Sequence, residues 1–493
     1  MTRRHVAVIG AGPAGLAAAE AALGAGARVT LIDSEEQPGG QYHRMLPEPY
    51  AATHPERLQH GWNAFDRRRR RVLAHPRCAW WPRTAVWALE RPDPGTPGPP
   101  RVHLLRGPAD GGGRSRHVLE PGALVLAVGA HDRVLPFPGW ELPGVFTAGA
   151  AQALAKGERV VVGDRVVVAG TGPFLLPVAG SLLEAGSRVL EVLEANPAAT
   201  VARGWLRRPW ELPAQAAKLP ELVEYAADLA GHRVPYRTGR TVIEARGADQ
   251  VEEVVIARLR ADWSVVPGSE RTVPVDALCV THGFSPRLEL AVAAGCALRA
   301  VSSGEFVAVD RDQRTSCPGV YAAGEITGIA GAQAARAEGA LAGWVAGGGD
   351  SRLPALLALR RSRDQGRAFA RRLARAHPIG GQWPGWLRPR TVICRCEETD
   401  YDALRRAATG QAGADPRVIR LRTRAGLGPC QARVCGPTVA ELTERLSGEA
   451  AGRQVQGLPA ASPHRRPIAQ PIRLGELAAP PERIPNSDTE EWS

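Results

Sequence analysis

The first 33 residues restrict the fold more than any other stretch of the chain. Residues 6–9 read as a buried strand, Gly10-Ala11-Gly12-Pro13-Ala14-Gly15 follows at once, residues 13–23 form an Ala-rich helix, and residues 28–32 form a second strand ending at Asp33. Strand, glycine turn, helix and strand make a βαβ unit. Each glycine has its own physical task. Gly10 permits the tight turn, Gly12 lets a pyrophosphate approach backbone N–H groups, and Gly15 lets the helix pack against the sheet. The helix N-terminus adds partial positive charge. Asp33 lies roughly 20 residues beyond the turn, where a carboxylate accepts ribose hydroxyls. A chance glycine-rich turn would lack the flanking strands, helix and acid, so a dinucleotide site is expected. FAD and NAD share this pattern.

A weaker copy recurs. Residues 165–169 read as a strand, Gly170-Thr171-Gly172-Pro173 as the turn, and residues 188–193 as the next strand, ending at Glu194. Leu175 stands where the third glycine belongs, which moves helix and strand apart and alters the phosphate site. Glu194 takes the ribose-acid position and suits an unphosphorylated adenosine. NAD, another adenine nucleotide, a vestigial site and a purely structural unit all remain open. Neither turn has a Cys-x-x-Cys beside it, so a dithiol–disulfide mechanism is not expected.

The other chemistry-bearing cluster is near the C-terminus. Cys394-Arg395-Cys396 and Cys430-Gln431-Ala432-Arg433-Val434-Cys435 are separated by 33 residues. Four thiolates suit a [2Fe–2S] cluster and also structural zinc. Zinc sites favour Cys-x-x-Cys knuckles, so this spacing tilts towards the cluster. Gly428 and Gly436 let backbone amides approach the sulfurs and tune the potential. Cys78, Cys279, Cys296 and Cys317 are scattered, which fits a reducing compartment better than a disulfide scaffold.

With 493 residues the chain has room for about three domains. Its +12 balance comes almost wholly from arginine, because lysine occurs only at Lys156 and Lys218. The one dense run, residues 67–71, lacks interleaved aromatics and reads as a solvated helix face rather than a nucleic-acid site. The apolar stretch 6–23 is broken by glycines and a proline, so it is not read as a membrane span or signal peptide. A cytoplasmic location is expected.

The expected fold class is α/β, with two Rossmann-like dinucleotide-binding domains and a small α-rich C-terminal cluster domain. Residues 1–150 with 266–346 are expected as a discontinuous first dinucleotide-binding domain, FAD-binding by the resemblance of residues 39–41, 127–129 and 323–325 to two-dinucleotide-domain flavoproteins, and 151–265 as the second dinucleotide-like domain. Residues 347–388 read as a helical linker, 389–448 as the [2Fe–2S] domain, and 449–493 as a Pro-rich tail that is disordered or draped over a partner. Within the first domain, residues 84–127 read as a β-meander.

Three further segments carry a resemblance. Gly39-Gly40-Gln41, Ala127-Val128-Gly129 and Ala323-Gly324-Glu325 resemble the FAD-contacting elements of two-dinucleotide-domain flavoproteins. That family usually has Ala-Thr-Gly in the middle element and Gly-Asp in the last. The resemblance implies FAD contacts from Gly40, Gln41, Gly129, Gly324 and Glu325. Residues 393–398 with 426–437 resemble the bacterioferritin-associated-ferredoxin-type [2Fe–2S] domain, which implies Cys394, Cys396, Cys430 and Cys435 as ligands. Residues 129–140, together with Leu142-Pro143-Gly144-Val145 and Gly283-Phe284-Ser285-Pro286, resemble the flavoprotein α subunits of multisubunit amine and amino-acid dehydrogenases. Opine oxidase, hydrogen cyanide synthase, proline and hydroxyproline dehydrogenases and heterotetrameric sarcosine oxidase are of this kind.

That resemblance implies an electron-transferring subunit. A partner β subunit with its own FAD would oxidise the amine, a further flavin, FMN, is expected at the subunit interface, and a small ferredoxin-like subunit often accompanies the pair. A two-electron flavin feeding a one-electron cluster is chemically coherent. A stand-alone NAD(P)H-dependent reductase using the second turn is the first alternative, and a zinc-bearing scaffold is the second. His131, Asp132 and Arg133 follow the Ala127–Gly129 turn; facing a flavin is one reading, and capping or bracing the turn is the expected one. No catalytic acid or base is assigned.

Overall fold

The computed structural model describes residues 4–50, 52–57, 59–93, 95–109, 111–211, 219–301, 304–409, 415–450, 464, 466 and 468–484. The chain divides into two compact units, residues 1–130 with 286–370 and 464–493, and residues 131–285 with 371–463.

The first unit is built on a five-stranded parallel sheet. Its order is Val320–Ala322, Ala123–Leu126, His5–Ile9, Arg28–Ile32, Cys78–Trp81. His5–Ile9 and Arg28–Ile32 are buried along their whole length, as continuous apolar runs in a covered parallel sheet should be. The helix Pro13–Gly24 crosses the helix Gly331–Ala346 at close range. A Cβ on Gly339 would lie 2.0 Å from the Ala14 carbonyl oxygen, and one on Gly343 1.9 Å from that of Ala18. The four-residue spacing of glycine against alanine lets the two backbones touch. Ala-rich packing then fills a core with Leu16, Val29, Val125 and Phe65.

The antiparallel meander is shorter than expected. It comprises Thr84–Glu90, Arg101–Arg106 and Ser115–Leu119. Ala123–Leu126 leaves it and lies parallel beside His5–Ile9. The tail expectation is also corrected in part. Glu482–Arg483 adds parallel to Ser115–Leu119, Ala469 and Ile484 enter the core, and Arg114 makes a two-pronged ion pair with Glu476 at 2.7 Å. Residues 468–484 therefore dock on their own chain, because the meander's outer strand offers an unpaired edge. The remainder of the tail falls largely outside the described residues.

The second unit repeats the parallel pattern in the order Tyr236–Thr238, Arg188–Glu194, Arg165–Gly170, Ala277–Thr281, Val145–Thr147. An antiparallel sheet of Arg240–Arg246, Glu253–Arg258 and Arg271–Pro274 accompanies it. These pairings move the expected boundaries. Residues 131–150 and 266–285 supply an edge and a central strand to this second sheet, so they belong with it. The cysteine-bearing region does not stand apart either. Ile393, Leu404, Ala407, Ile419 and Leu442 share one core with Leu135, Leu259, Trp263, Trp383 and Trp386. Trp263 and Trp386 stack with ring centroids 5.9 Å apart.

Residues 356–376 of the expected linker are one helix, Leu356–Ala376. Its side chains are engaged: Arg367 reaches Glu338 and Arg372 reaches the Arg208 carbonyl. The arginine run 67–71 lies on the helix Trp62–Leu73. Arg68 and Arg71 pair with Glu20, and Arg69 and Arg70 with Asp66. Among the described residues no helix is long and apolar enough to cross a membrane.

Candidate cofactor-binding sites

The first turn is packed to backbone tolerance. A Cβ on Gly10 would lie 2.4 Å from the Ala127 carbonyl oxygen, and one on Gly15 only 1.6 Å from that of Gly10. Gly12 differs, since its nearest neighbour is the Gly40 α-carbon at 3.9 Å. Gly40 faces Gly12 closely, since a Cβ on Gly40 would lie 3.0 Å from the Gly12 α-carbon and 3.9 Å from Pro13 Cδ. Gly12 is also the N-cap of Pro13–Gly24 and provides no side-chain cap, so the first-turn amides are left for an external anion. Gly129 has open space where a side chain would be.

Asp33 lies at the end of its strand, half-buried, with Oδ2 accepting the Ala11 N–H at 2.5 Å and Oδ1 the Glu35 N–H at 2.9 Å. Burial raises its pKa, and the two amide bonds offset only part of that rise. Gln41 is exposed, and its Oε1 accepts from Arg44 at 3.0 Å. Glu325 accepts the N–H of Gly331, the first residue of its helix, at 3.0 Å. The adjacent Gly324 N–H donates to Glu338 at 3.0 Å.

Glu338 is a residue that sequence reasoning passed over. It is buried, accepts the Thr327 hydroxyl at 2.5 Å, and pairs with Arg367 at 3.0 Å. Arg367 also donates to the buried Gln313 at 3.1 Å. Burial raises the Glu338 pKa against the opposing pull of Arg367. The signal was a lone acid in a helix of Ala and Gly, where a charge with no partner would be costly.

The second turn keeps the close approach at its first glycine. A Cβ on Gly170 would lie 1.7 Å from the Thr281 carbonyl oxygen, while one on Gly172 would meet nothing within 4 Å. Glu194 is fully buried. Its Oε1 accepts the Thr171 hydroxyl at 2.7 Å and both the N–H and Nδ2 of Asn196 at 2.9 Å. Its Oε2 accepts the Gly172 N–H at 2.7 Å and His377 Nδ1–H at 3.0 Å. Burial pushes its pKa up, but His377, Gly172 and Asn196 together outweigh it and hold the carboxyl below its ordinary range. The chain around His377 is tight, since a Cβ on Gly204 would lie 2.3 Å from the Ala376 α-carbon. The ribose-acid position is thus filled by five donors of the protein itself.

The four C-terminal thiols come together as a chain of contacts. Cys435 interacts with both Cys394 and Cys430, Cys430 interacts with Cys396, and the Gly426 N–H donates to Cys394 Sγ at 3.5 Å. The Cys435 thiol donating to Cys394 brings that group down to about 6, against burial and helped by the amides of Gly426, Glu397 and Cys396. Its neighbour Cys435, with the amides of Val434 and Ala432, brings Cys430 down to about 4 against burial. Cys435 is correspondingly raised, and burial raises Cys396. The loops curl to aim these amides: Gln431 and Ala432 have φ of 52° and 60°, and Gly426 has 85°. A Cβ on Gly428 would lie 2.3 Å from that of Cys396. Among the described residues no three His, Cys, Asp or Glu side chains converge as ligands of one metal ion.

In the segment after Gly129, His131 reaches the second cysteine loop and Arg133 the helix Gly436–Ala450 that follows it. His131 Nε2 donates to the Arg433 carbonyl at 2.5 Å, and Arg133 pairs with Glu441 at 3.1 Å. Asp132 accepts the Gly149 N–H at 2.9 Å. Trp140 donates to the Val392 carbonyl at 2.5 Å and carries the Arg395 guanidinium 4.0 Å above its ring.

Residues 4–339 match the pyridine nucleotide-disulphide oxidoreductase family. The chain is 33% identical over 485 residues to the opine oxidase A subunit of Agrobacterium tumefaciens (strain Ach5), covering 96% of this chain and 90% of the relative. It is 30% identical over 475 residues to the hydrogen cyanide synthase subunit HcnB of Pseudomonas protegens, covering 91% and 93%. In fold it is similar to the L-proline dehydrogenase from P.horikoshii, with a TM-score of 0.63, 18% identity, and coverage of 97% of this chain and 79% of that one. A glycine turn open to an anion, set in a parallel sheet and matched along two thirds of the sequence, makes the assignment: the chain belongs to the pyridine nucleotide-disulphide oxidoreductase family and is an FAD-dependent oxidoreductase.

Proposed function

We propose that this chain is the electron-transferring subunit of a multisubunit amine or amino-acid dehydrogenase. FAD would be held at Gly10, Gly12, Gly15, Asp33, Gly40, Gln41, Gly129, Gly324 and Glu325, and a [2Fe–2S] cluster by Cys394, Cys396, Cys430 and Cys435. When bound, the flavin supplies a two-electron acceptor and the cluster a one-electron carrier. Gly12 and the open helix end would bind the pyrophosphate, and Asp33 the ribose. Amine oxidation would take place on an FAD-containing β subunit. FMN at the interface and a small ferredoxin-like protein would complete the assembly.

The observation that carries this reading is the chain of thiol contacts ringed by backbone N–H donors. A [2Fe–2S] cluster takes four thiolate sulfurs, two to each iron, and amides aimed at sulfur suit it. The relatives support the multisubunit setting, because both are named as subunits. Glu194 favours this reading over the NAD(P)H-dependent reductase. A carboxylate with five internal donors has no lone pair to spare for an adenosine ribose, and we read the second turn as structural.

The test is anaerobic purification of the native protein with flavin extraction and iron, sulfide and zinc assays. One FAD with two irons and two sulfides per chain is expected, and NADH should leave the flavin oxidised. Zinc in place of iron, or rapid bleaching of the flavin by NADH, overturns the proposal.

A further inference from the structure

We propose that the helix Pro416–Thr423 and the loop after it form the docking face for an acidic one-electron carrier protein. The inference rests on the [2Fe–2S] reading above. Of the four thiols only Cys396 is exposed, while Cys394 and Cys435 are buried. Electron tunnelling weakens steeply with distance, so a carrier gains most by approaching at Cys396.

The surroundings of Cys396 have a definite chemistry. Gly428 packs against its Cβ, which puts Leu427 and Pro429, both exposed, at its rim. Arg424, also exposed, pairs with Glu397 at 2.6 Å beside it. The helix leading into this rim turns Ile419 into the core. Arg417 and Leu421, one turn apart, then lie on the opposite, outward face, and Arg424 caps the helix end in the left-handed conformation. Leu421 is 66% exposed and Leu427 40%. Residues 415–433 contain five arginines, Arg417, Arg420, Arg422, Arg424 and Arg433, and one acid, Asp415. Asp415 is spent as the N-cap, accepting the Arg417 N–H. Among the described residues Glu397 pairs with Arg424 and Glu398 is exposed. The neighbouring helix Tyr401–Thr409 brings Asp402, paired with Arg405 and Arg406, and Asp400 just ahead of it accepts the Ala403 N–H.

Exposed leucines at the centre of a positive rim suit a small, short-lived redox interface. Arginine charge on that rim selects an acidic partner and speeds its approach. The carrier takes one electron per encounter, so two encounters balance the electron pair released by one C–N oxidation. The amine is the reductant and the oxidised carrier the acceptor.

The reverse reaction offers a clean measurement. Reduced plant-type ferredoxin, an acidic one-electron protein, is mixed with the oxidised holo-protein in a stopped-flow instrument, and cluster absorbance is followed. A reduced viologen, a small cation, serves as comparator. With ferredoxin the rate should fall about tenfold from low to high salt, and about tenfold again in Arg417→Glu/Arg422→Glu. With viologen the double variant should reduce no more slowly than the wild type. Leu421→Ser should slow only the ferredoxin reaction. Iron content of each sample separates the two ideas. An iron-free wild type ends the cluster reading and this proposal with it. Variants with full iron that react with ferredoxin as fast as the wild type, or a wild-type rate indifferent to salt, overturn the docking face alone.

Discussion

The two glycine turns share a spacing and differ at the acid that ends the following strand. At the first, Asp33 is half-buried and touches two backbone amides, and Gly12 faces only the Gly40 α-carbon. At the second, Glu194 is sealed under Thr171, Gly172, Asn196 and His377. The same supersecondary unit therefore serves two ends. In one copy the helix start has no side-chain cap, while in the other the acid turns inwards onto the turn, Asn196 and His377. A glycine pattern specifies a backbone shape, and the side chains around it decide whether that shape binds anything.

The largest effect should come from closing the first turn. Gly15→Val puts a branched side chain where even a Cβ would lie 1.6 Å from a carbonyl oxygen. Soluble expression should collapse, and any recovered protein should lack FAD on extraction. A soluble, yellow Gly15→Val protein would contradict this packing.

Next in size is Glu194→Ala. It strands Asn196, Thr171, the Gly172 amide and His377 in a dry interior. Breaking such a buried network costs on the order of 3–5 kcal/mol. Urea unfolding should show that loss, with FAD content unchanged. Loss of FAD without loss of stability would mean that the second turn, not the first, governs cofactor binding. Gly172→Ala is milder. No atom lies within 4 Å of the new methyl, but φ is +98°, and a non-glycine residue there costs about 1–2 kcal/mol. A lowered melting temperature with full FAD is expected.

The first turn was legible because every part of it is local. Strand, glycines, helix and Asp33 fall within one window, and their spacing fixes the geometry. The cysteines were legible as a set for a related reason, since each pair is only a few residues apart. What sequence could not supply was partnership across long separations. His377 meets Glu194 across 183 residues, and Arg114 meets Glu476 across 362. No periodicity announces such pairs. The misplacement of residues 123–126 in the meander has another cause: a short apolar run reads alike in an antiparallel ribbon and in a covered parallel sheet. The bracing role of His131, Arg133 and Trp140 on the cysteine region was hidden in the same way as the long-range pairs. Their partners at Arg433, Glu441 and Val392 lie 302, 308 and 252 residues on.

The smallest expected effect gives the sharpest contrast, because the two acids should shift stability with pH in opposite directions. Asp33 has its folded pKa raised above the ordinary 3.8, by burial first. Between those two values the folded state holds the proton more tightly than the unfolded state, so stability falls as pH rises through the window. Glu194 has its folded pKa held below 4.5. Its contribution is complete above 4.5 and is lost as pH falls through the folded value, where the unfolded state binds the extra proton. In flavin-free protein, Asp33→Asn should therefore raise stability at neutral pH and Glu194→Gln should lower it, with the two differences shrinking together towards acid. Urea titrations of both variants across the acid range, each referred to the parent protein, read the two signs directly. Equal signs would mean that Asp33, like Glu194, is bound chiefly by its own protein, and the contrast between an open and a self-filled turn would be lost.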